Sequence, residues 1–133
     1  MRSPEELLNG REILIVDDDA RNIFALSSYL DSIGIKIYSV ENGYEAIDFL
    51  KDGHGVDVVL MDMMMPELDG YEAIGKIRED KAIAYVPIIA VTAKAMKSDR
   101  EKCLEAGADE YVSKPVNLQE LLQKMSVLIS VRK

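Results

Sequence analysis

Val58-Val59-Leu60-Met61, followed at once by Asp62, is the stretch that decides the fold. Side chains in a strand alternate between faces, so an apolar residue at every position means a strand covered on both sides. Ile88-Ile89-Ala90-Val91 repeats the pattern, and Pro87 stands at its start, where a missing N–H costs least. Working outward, short β-rich apolar runs recur at Ile13–Val16, Ile35–Val40, Val56–Met61, Ile88–Val91 and Tyr111–Val112, with helical spacing between them. Strands alternating with helices build a parallel sheet.

The helix starts carry a repeated device, a capping residue with Glu three positions later, in which each side chain satisfies an orphan N–H. The pairs are Asn42 with Glu45, Asp69 with Glu72, Ser98 with Glu101 and Asn117 with Glu120. Gly107 stands where a helix begun at Asp99 needs a left-handed C-terminal residue, and Gly34 closes the first helix in the same way. Leu118, Leu121, Leu122, Met125 and Ile129 form one stripe on the last helix. Five strands and five helices in strict alternation predict a doubly wound α/β/α sandwich. One domain over residues 11–131 is expected, with residues 1–10 as an N-terminal extension or linker stub.

The 133 residues suffice for a single core, and 48% apolar with 30% charged residues is ordinary globular composition. No apolar run approaches the ~20 residues that span a bilayer, so no direct membrane contact is expected. A net charge of −8 argues against a nucleic-acid surface, whose affinity comes from clustered Lys and Arg. Cys103 is the only cysteine, which excludes an internal disulfide and fits a reducing compartment. Glu5 and Glu6 stand where a signal peptide would be apolar, so a cytoplasmic location is expected.

In an open parallel sheet, ligands bind beyond the carboxyl ends of the strands. Those ends are polar here: Asp17-Asp18-Asp19 after the first strand, Asp62 after the third, Thr92 after the fourth, and Ser113-Lys114-Pro115 after the fifth. Crowded carboxylates stay ionised only if a cation offsets their repulsion. Magnesium suits an open, all-oxygen site of this kind. The metal, Lys114 and Thr92 would surround Asp62 with groups that favour anionic oxygens, which is what phosphoryl transfer to a carboxylate needs. No general base for another substrate is evident, so the chain itself is expected to be the phosphate acceptor.

Taken together, Ile13-Leu14-Ile15-Val16-Asp17-Asp18-Asp19, Met61-Asp62-Met63-Met64-Met65-Pro66-Glu67-Leu68-Asp69-Gly70, Ala90-Val91-Thr92-Ala93 and Tyr111-Val112-Ser113-Lys114-Pro115 resemble the receiver domains of two-component signalling, from about Arg11 to Ile129. The resemblance implies a flavodoxin-like five-stranded parallel sheet in the order 2-1-3-4-5, an order also seen in a chemotaxis receiver. It implies phosphorylation of Asp62, and Mg2+ held by Asp18, Asp62 and the Met64 backbone carbonyl, with Asp17 acting through water. Thr92 would hydrogen-bond the phosphoryl oxygen, Lys114 would pair with it, and Tyr111 would turn as Thr92 moves. A cis Lys114-Pro115 bond is implied too, a geometry that a following proline makes accessible. Arg21 to Leu26 and Ala93 to Lys114 look most like receivers of hybrid sensor histidine kinases. The phosphoryl donor would be a histidine kinase or a histidine phosphotransfer protein, and the output surface the fourth helix, fifth strand and fifth helix. The isolated domain would act only on itself, whereas a hybrid parent would be a histidine kinase. A homodimer is left open.

Plainer readings compete at single residues. Asp18 or Asp19 could cap the first helix, and Asp69 reads as a cap. His54, in Lys51-Asp52-Gly53-His54-Gly55, reads as a solvated loop residue away from the site. Met61, Met63, Met64 and Met65 suggest packing over soft-metal binding. Cys103 reads as a packing residue, and Tyr111 could be an ordinary strand aromatic. Met64 and Lys94 flank Asp62 and could tune water access. Other function classes fit less well: a flavodoxin-like cofactor binder would have its phosphate repelled by Asp17-Asp18-Asp19, a magnesium phosphohydrolase would want a cap domain, and a pseudo-receiver would lack one of the polar five.

Overall fold

A computed structural model describes residues 3–93 and 96–131. Five strands run β1 (Glu12–Val16), β2 (Lys36–Val40), β3 (Val58–Asp62), β4 (Ile88–Thr92) and β5 (Glu110–Ser113). The helices are α1 (Pro4–Leu8), α2 (Ala20–Ser32), α3 (Gly43–Lys51), α4 (Gly70–Glu79), α5 (Lys97–Ala106) and α6 (Leu118–Val131). All strand pairs are parallel, in the order β2-β1-β3-β4-β5. The expected flavodoxin-like sandwich is therefore the fold. No helix among the described residues is long and apolar enough to cross a membrane.

Every residue of β3 and β4 is buried, as their continuous apolar runs require. Alternate residues feed two cores. Leu14, Val16, Val59 and Met61 face a cluster with Ala46, Leu50, Ile74, Ile77 and Cys103, from α3, α4 and α5. Ile13, Ile15, Val58 and Leu60 face Leu8, Leu30, Leu122, Met125 and Ile129, from α1, α2 and α6. Ile35 and Val56, expected within strands, instead lie buried just before them.

Three of the four expected caps form, with Asn42, Asp69 and Asn117 accepting from the backbone N–H of Glu45, Glu72 and Glu120 at 2.9 Å each. Ser98 is the exception. α5 starts two residues earlier than expected, at Lys97, with Met96 in the cap position and no side-chain cap bond. Gly107 ends α5 in the left-handed conformation, φ 118°, as expected.

The five-helix count falls one short because Pro4–Leu8 is helical, with Pro4 at its start and the Ser3 hydroxyl accepting from Glu6 N. Leu8 is fully buried in the second core. Asn9 Nδ2 donates to the Ile33 carbonyl at 3.1 Å, which ties this segment to the end of α2.

Candidate functional site

The polar strand ends meet at the carboxyl edge of the sheet. Asp62, the last residue of β3, is only 3% exposed. Its Oδ1 accepts from Met64 N at 3.1 Å and from Lys114 Nζ at 3.3 Å. Asp17, 4% exposed after β1, accepts from Asp19 N at 2.8 Å through Oδ1 and from Asn22 Nδ2 at 3.4 Å through Oδ2. Asp18 is exposed, and one carboxylate oxygen from each of Asp17, Asp18 and Asp62 lies within 4.8 Å of the others.

Burial pushes the Asp17 carboxyl above its ordinary value, and the nearby Asp62 carboxylate adds to that shift. The Asp19 N–H, the Lys114 ammonium and the Asn22 amide oppose it. Repulsion among these carboxylates is thus only partly relieved by the protein. A hard divalent cation fits such an all-oxygen set, and the chain's single His and Cys both lie elsewhere.

Thr92 closes β4, buried, and its carbonyl accepts from Lys114 N at 2.7 Å, so strand pairing positions the lysine. The Lys114-Pro115 peptide is cis. Met64 has an exposed side chain in the loop after β3, where Glu67 takes a positive φ of 67°. Gly70 opens α4 against this loop. A Cβ there would come within 2.7 Å of the Asp62 carbonyl and 2.6 Å of Met63 Cα, so the helix can approach Asp62 only because residue 70 has no side chain.

A family described as the response regulator receiver domain matches residues 13–126. The chain belongs to this family. A probable histidine kinase of Oryza sativa subsp. japonica is 36% identical over 92% of the receiver, which spans only 14% of that relative's length. A solved receiver domain of a sensor histidine kinase from Pseudomonas aeruginosa PAO1 matches with a TM-score of 0.82 and 38% identity, covering 91% of this chain and 98% of that one. That receiver has a magnesium ion coordinated in its active site cleft. The receiver domain of Saccharomyces cerevisiae Ssk1, co-crystallised with the histidine phosphotransfer signalling protein Ypd1, matches with a TM-score of 0.83 and 32% identity, covering 93% and 92% of the two chains.

The receiver's site brings together Asp17, Asp18, Asp62, Thr92 and Lys114. Asp19 stands apart as the α2 cap, accepting from Arg21 N at 2.9 Å and pairing with the Arg21 guanidinium at 3.1 Å. His54 is exposed at the opposite end of the sheet, its ring stacked 3.9 Å from Phe49. Cys103 is buried, and burial pushes its thiol up. Lys94 lies outside the described residues.

Asn22 went unrecognised in the sequence although it holds Asp17. The available signal was an amide one turn into the helix that follows the acidic run. Asn22 also lines an open groove of about 560 Å³ that runs from Asp17 and Lys114 along Ala25, Leu26, Pro115, Val116 and Leu118. Such a groove between helices is a product of packing and has no local signature.

Proposed function

We propose that this receiver takes a phosphoryl group onto Asp62 from a phosphohistidine of a histidine kinase or histidine phosphotransfer protein. The observation that carries the reading is the buried Asp62 carboxylate, held by Lys114 Nζ and Met64 N opposite Asp17 and Asp18. The Asp62 carboxylate forms a P–O bond while the P–N bond to the donor imidazole breaks. The imidazole leaves with the electron pair and takes up a proton.

Lys114 would pair with the incoming phosphoryl oxygens, and Thr92 would donate its hydroxyl to one of them. Asp17, Asp18, Asp62 and the Met64 carbonyl would hold Mg2+, which supplies charge neutralisation when bound. The magnesium recorded in the Pseudomonas receiver supports that assignment. The groove beside Lys114, with Phe24 72% exposed on the same helix as Ala25 and Leu26, receives the donor. The Ypd1 complex of the yeast neighbour supports a donor of this class.

Phosphorylation adds charge at Asp62, and through Thr92 and Tyr111 it biases the surface of α5, β5 and α6. The chemistry is directed at the chain itself, in the cytoplasm; were the chain part of a hybrid protein, that parent would be a histidine kinase. Residues 11–131 form the receiver body, and residues 1–10 are an extension folded back on it.

Intact mass after incubation with acetyl phosphate and magnesium tests the reading. One added phosphoryl group is expected, lost in Asp62→Asn and with a chelator. An adduct that survives in Asp62→Asn overturns the assignment, as does no adduct where beryllofluoride also fails to bind.

A further inference from the structure

Tyr111 sits on β5 with its ring half-buried against the α3–α4–α5 core. Two cations from two helices attend that ring. Lys124 of α6 lies 4.9 Å from the ring centroid, and Arg100 of α5 lies 5.6 Å from it.

The lysine is heavily committed. Its Nζ donates to the Tyr111 carbonyl at 2.6 Å and pairs with Glu120 at 3.3 Å and Glu110 at 3.6 Å. It therefore belongs to the fixed frame of β5 and α6. Arg100 is exposed and reaches the ring from a helix that is itself unevenly held.

At its C-terminal end α5 is clamped. Arg78 of α4 donates through Nε to the Gly107 carbonyl at 2.8 Å and through Nη2 to Asp109 at 2.9 Å. Its Nη1 donates to the carbonyls of Ala84 and Val86, so one guanidinium joins α4, the loop before β4 and the end of α5. Cys103, near this end, is the buried side chain of α5. The other end begins at Met96 without a side-chain cap bond and exposes the Met96 side chain.

The geometry points to Arg100 as a positioning residue, the latch through which the place of the Tyr111 ring is passed to α5. A helix pinned at Gly107 answers a moving ring by swinging the end that, among the described residues, has no side-chain cap bond, and Arg100 lies on that side of Cys103. This rests on the phosphoacceptor reading, which supplies the event that moves the ring.

The test uses the full chain, 15N-labelled and carrying 3-fluorotyrosine, with magnesium and beryllofluoride as the probe. The Tyr111 fluorine resonance is assigned by Tyr111→Phe. In the wild type both that resonance and the amide shifts of Lys97–Ala106 should change on addition of the probe. In Arg100→Ala the fluorine response and the amide shifts around Asp62 should persist, while the α5 response falls at least twofold. Arg100→Lys, which keeps a cation, should restore part of it. An α5 response in Arg100→Ala equal to wild type overturns the latch and leaves the phosphoacceptor reading intact. No response around Asp62 in the wild type overturns that reading and the latch with it.

Discussion

At Asp17, burial and a neighbouring carboxylate both disfavour the charged form. Its carboxyl is pushed up first by burial and then by Asp62, so the folded chain binds this proton more readily than the unfolded chain does. Stability therefore falls as pH rises from the ordinary value of 3.8 through the raised one, and the cost is fully present at neutral pH. Asp17→Asn removes that cost. The variant should melt a few degrees above wild type without metal at pH 7, with the advantage vanishing below the ordinary carboxylate range. It should also lose most of the rise in melting temperature expected of the wild type in millimolar magnesium. Thermal melts across pH, with and without magnesium, check both, and a variant that melts lower without metal would contradict the account.

At the scale of elements, each polar group of the site is delivered by a strand end, and the helices decide how closely neighbours approach. α4 begins with Gly70 pressed on the backbone of Asp62 and Met63. Gly70→Ala forces backbone atoms apart, and overpacking of this kind costs about 1–3 kcal/mol. Because the displaced atoms carry Asp62, the proposed acceptor, phosphoryl uptake should slow as well. Urea unfolding together with intact-mass time courses would show both losses, whereas a stability loss with unchanged uptake would place the strain away from Asp62. The contrast with α5 is instructive. That helix buries Cys103 and leans on Arg78 and Gly107 at one end, the uneven support expected of an element that moves.

Across the whole molecule, the site and the second core are separable. Leu8 is fully buried with Leu30, Met125 and Ile129, so the segment before β1 completes the layer formed by α2 and α6. Leu8→Ala should cost about 2–5 kcal/mol, the range for a leucine removed from a packed core. Phosphoryl uptake by the folded fraction should stay near wild type, because Leu8 lies in a core that none of the site carboxylates joins. Denaturant unfolding and intact mass on the same variant separate the two effects. Destabilisation below about 0.5 kcal/mol would mean that the segment is dispensable to the fold.

What the sequence by itself determined were the features carried by short windows. Val58-Val59-Leu60-Met61 and Ile88-Ile89-Ala90-Val91 declare doubly covered strands because burial on both faces leaves no polar position. Asp17, Asp62, Thr92 and Lys114 could be grouped as a candidate site because a parallel sheet brings all its strand ends to one edge. Asn42, Asp69 and Asn117 act through neighbours three residues away, which a window contains. Only the tertiary structure decided the rest. Ser98 lost its capping role to a start at Lys97, with Met96 in the cap position. Pro4–Leu8 became a helix because five residues cannot sustain one alone and this one is held by burial of Leu8. Asn22 on Asp17, Arg78 on Gly107, and Arg100 and Lys124 on Tyr111 join residues far apart in sequence or on different elements. Their contacts exist only once the layers have packed.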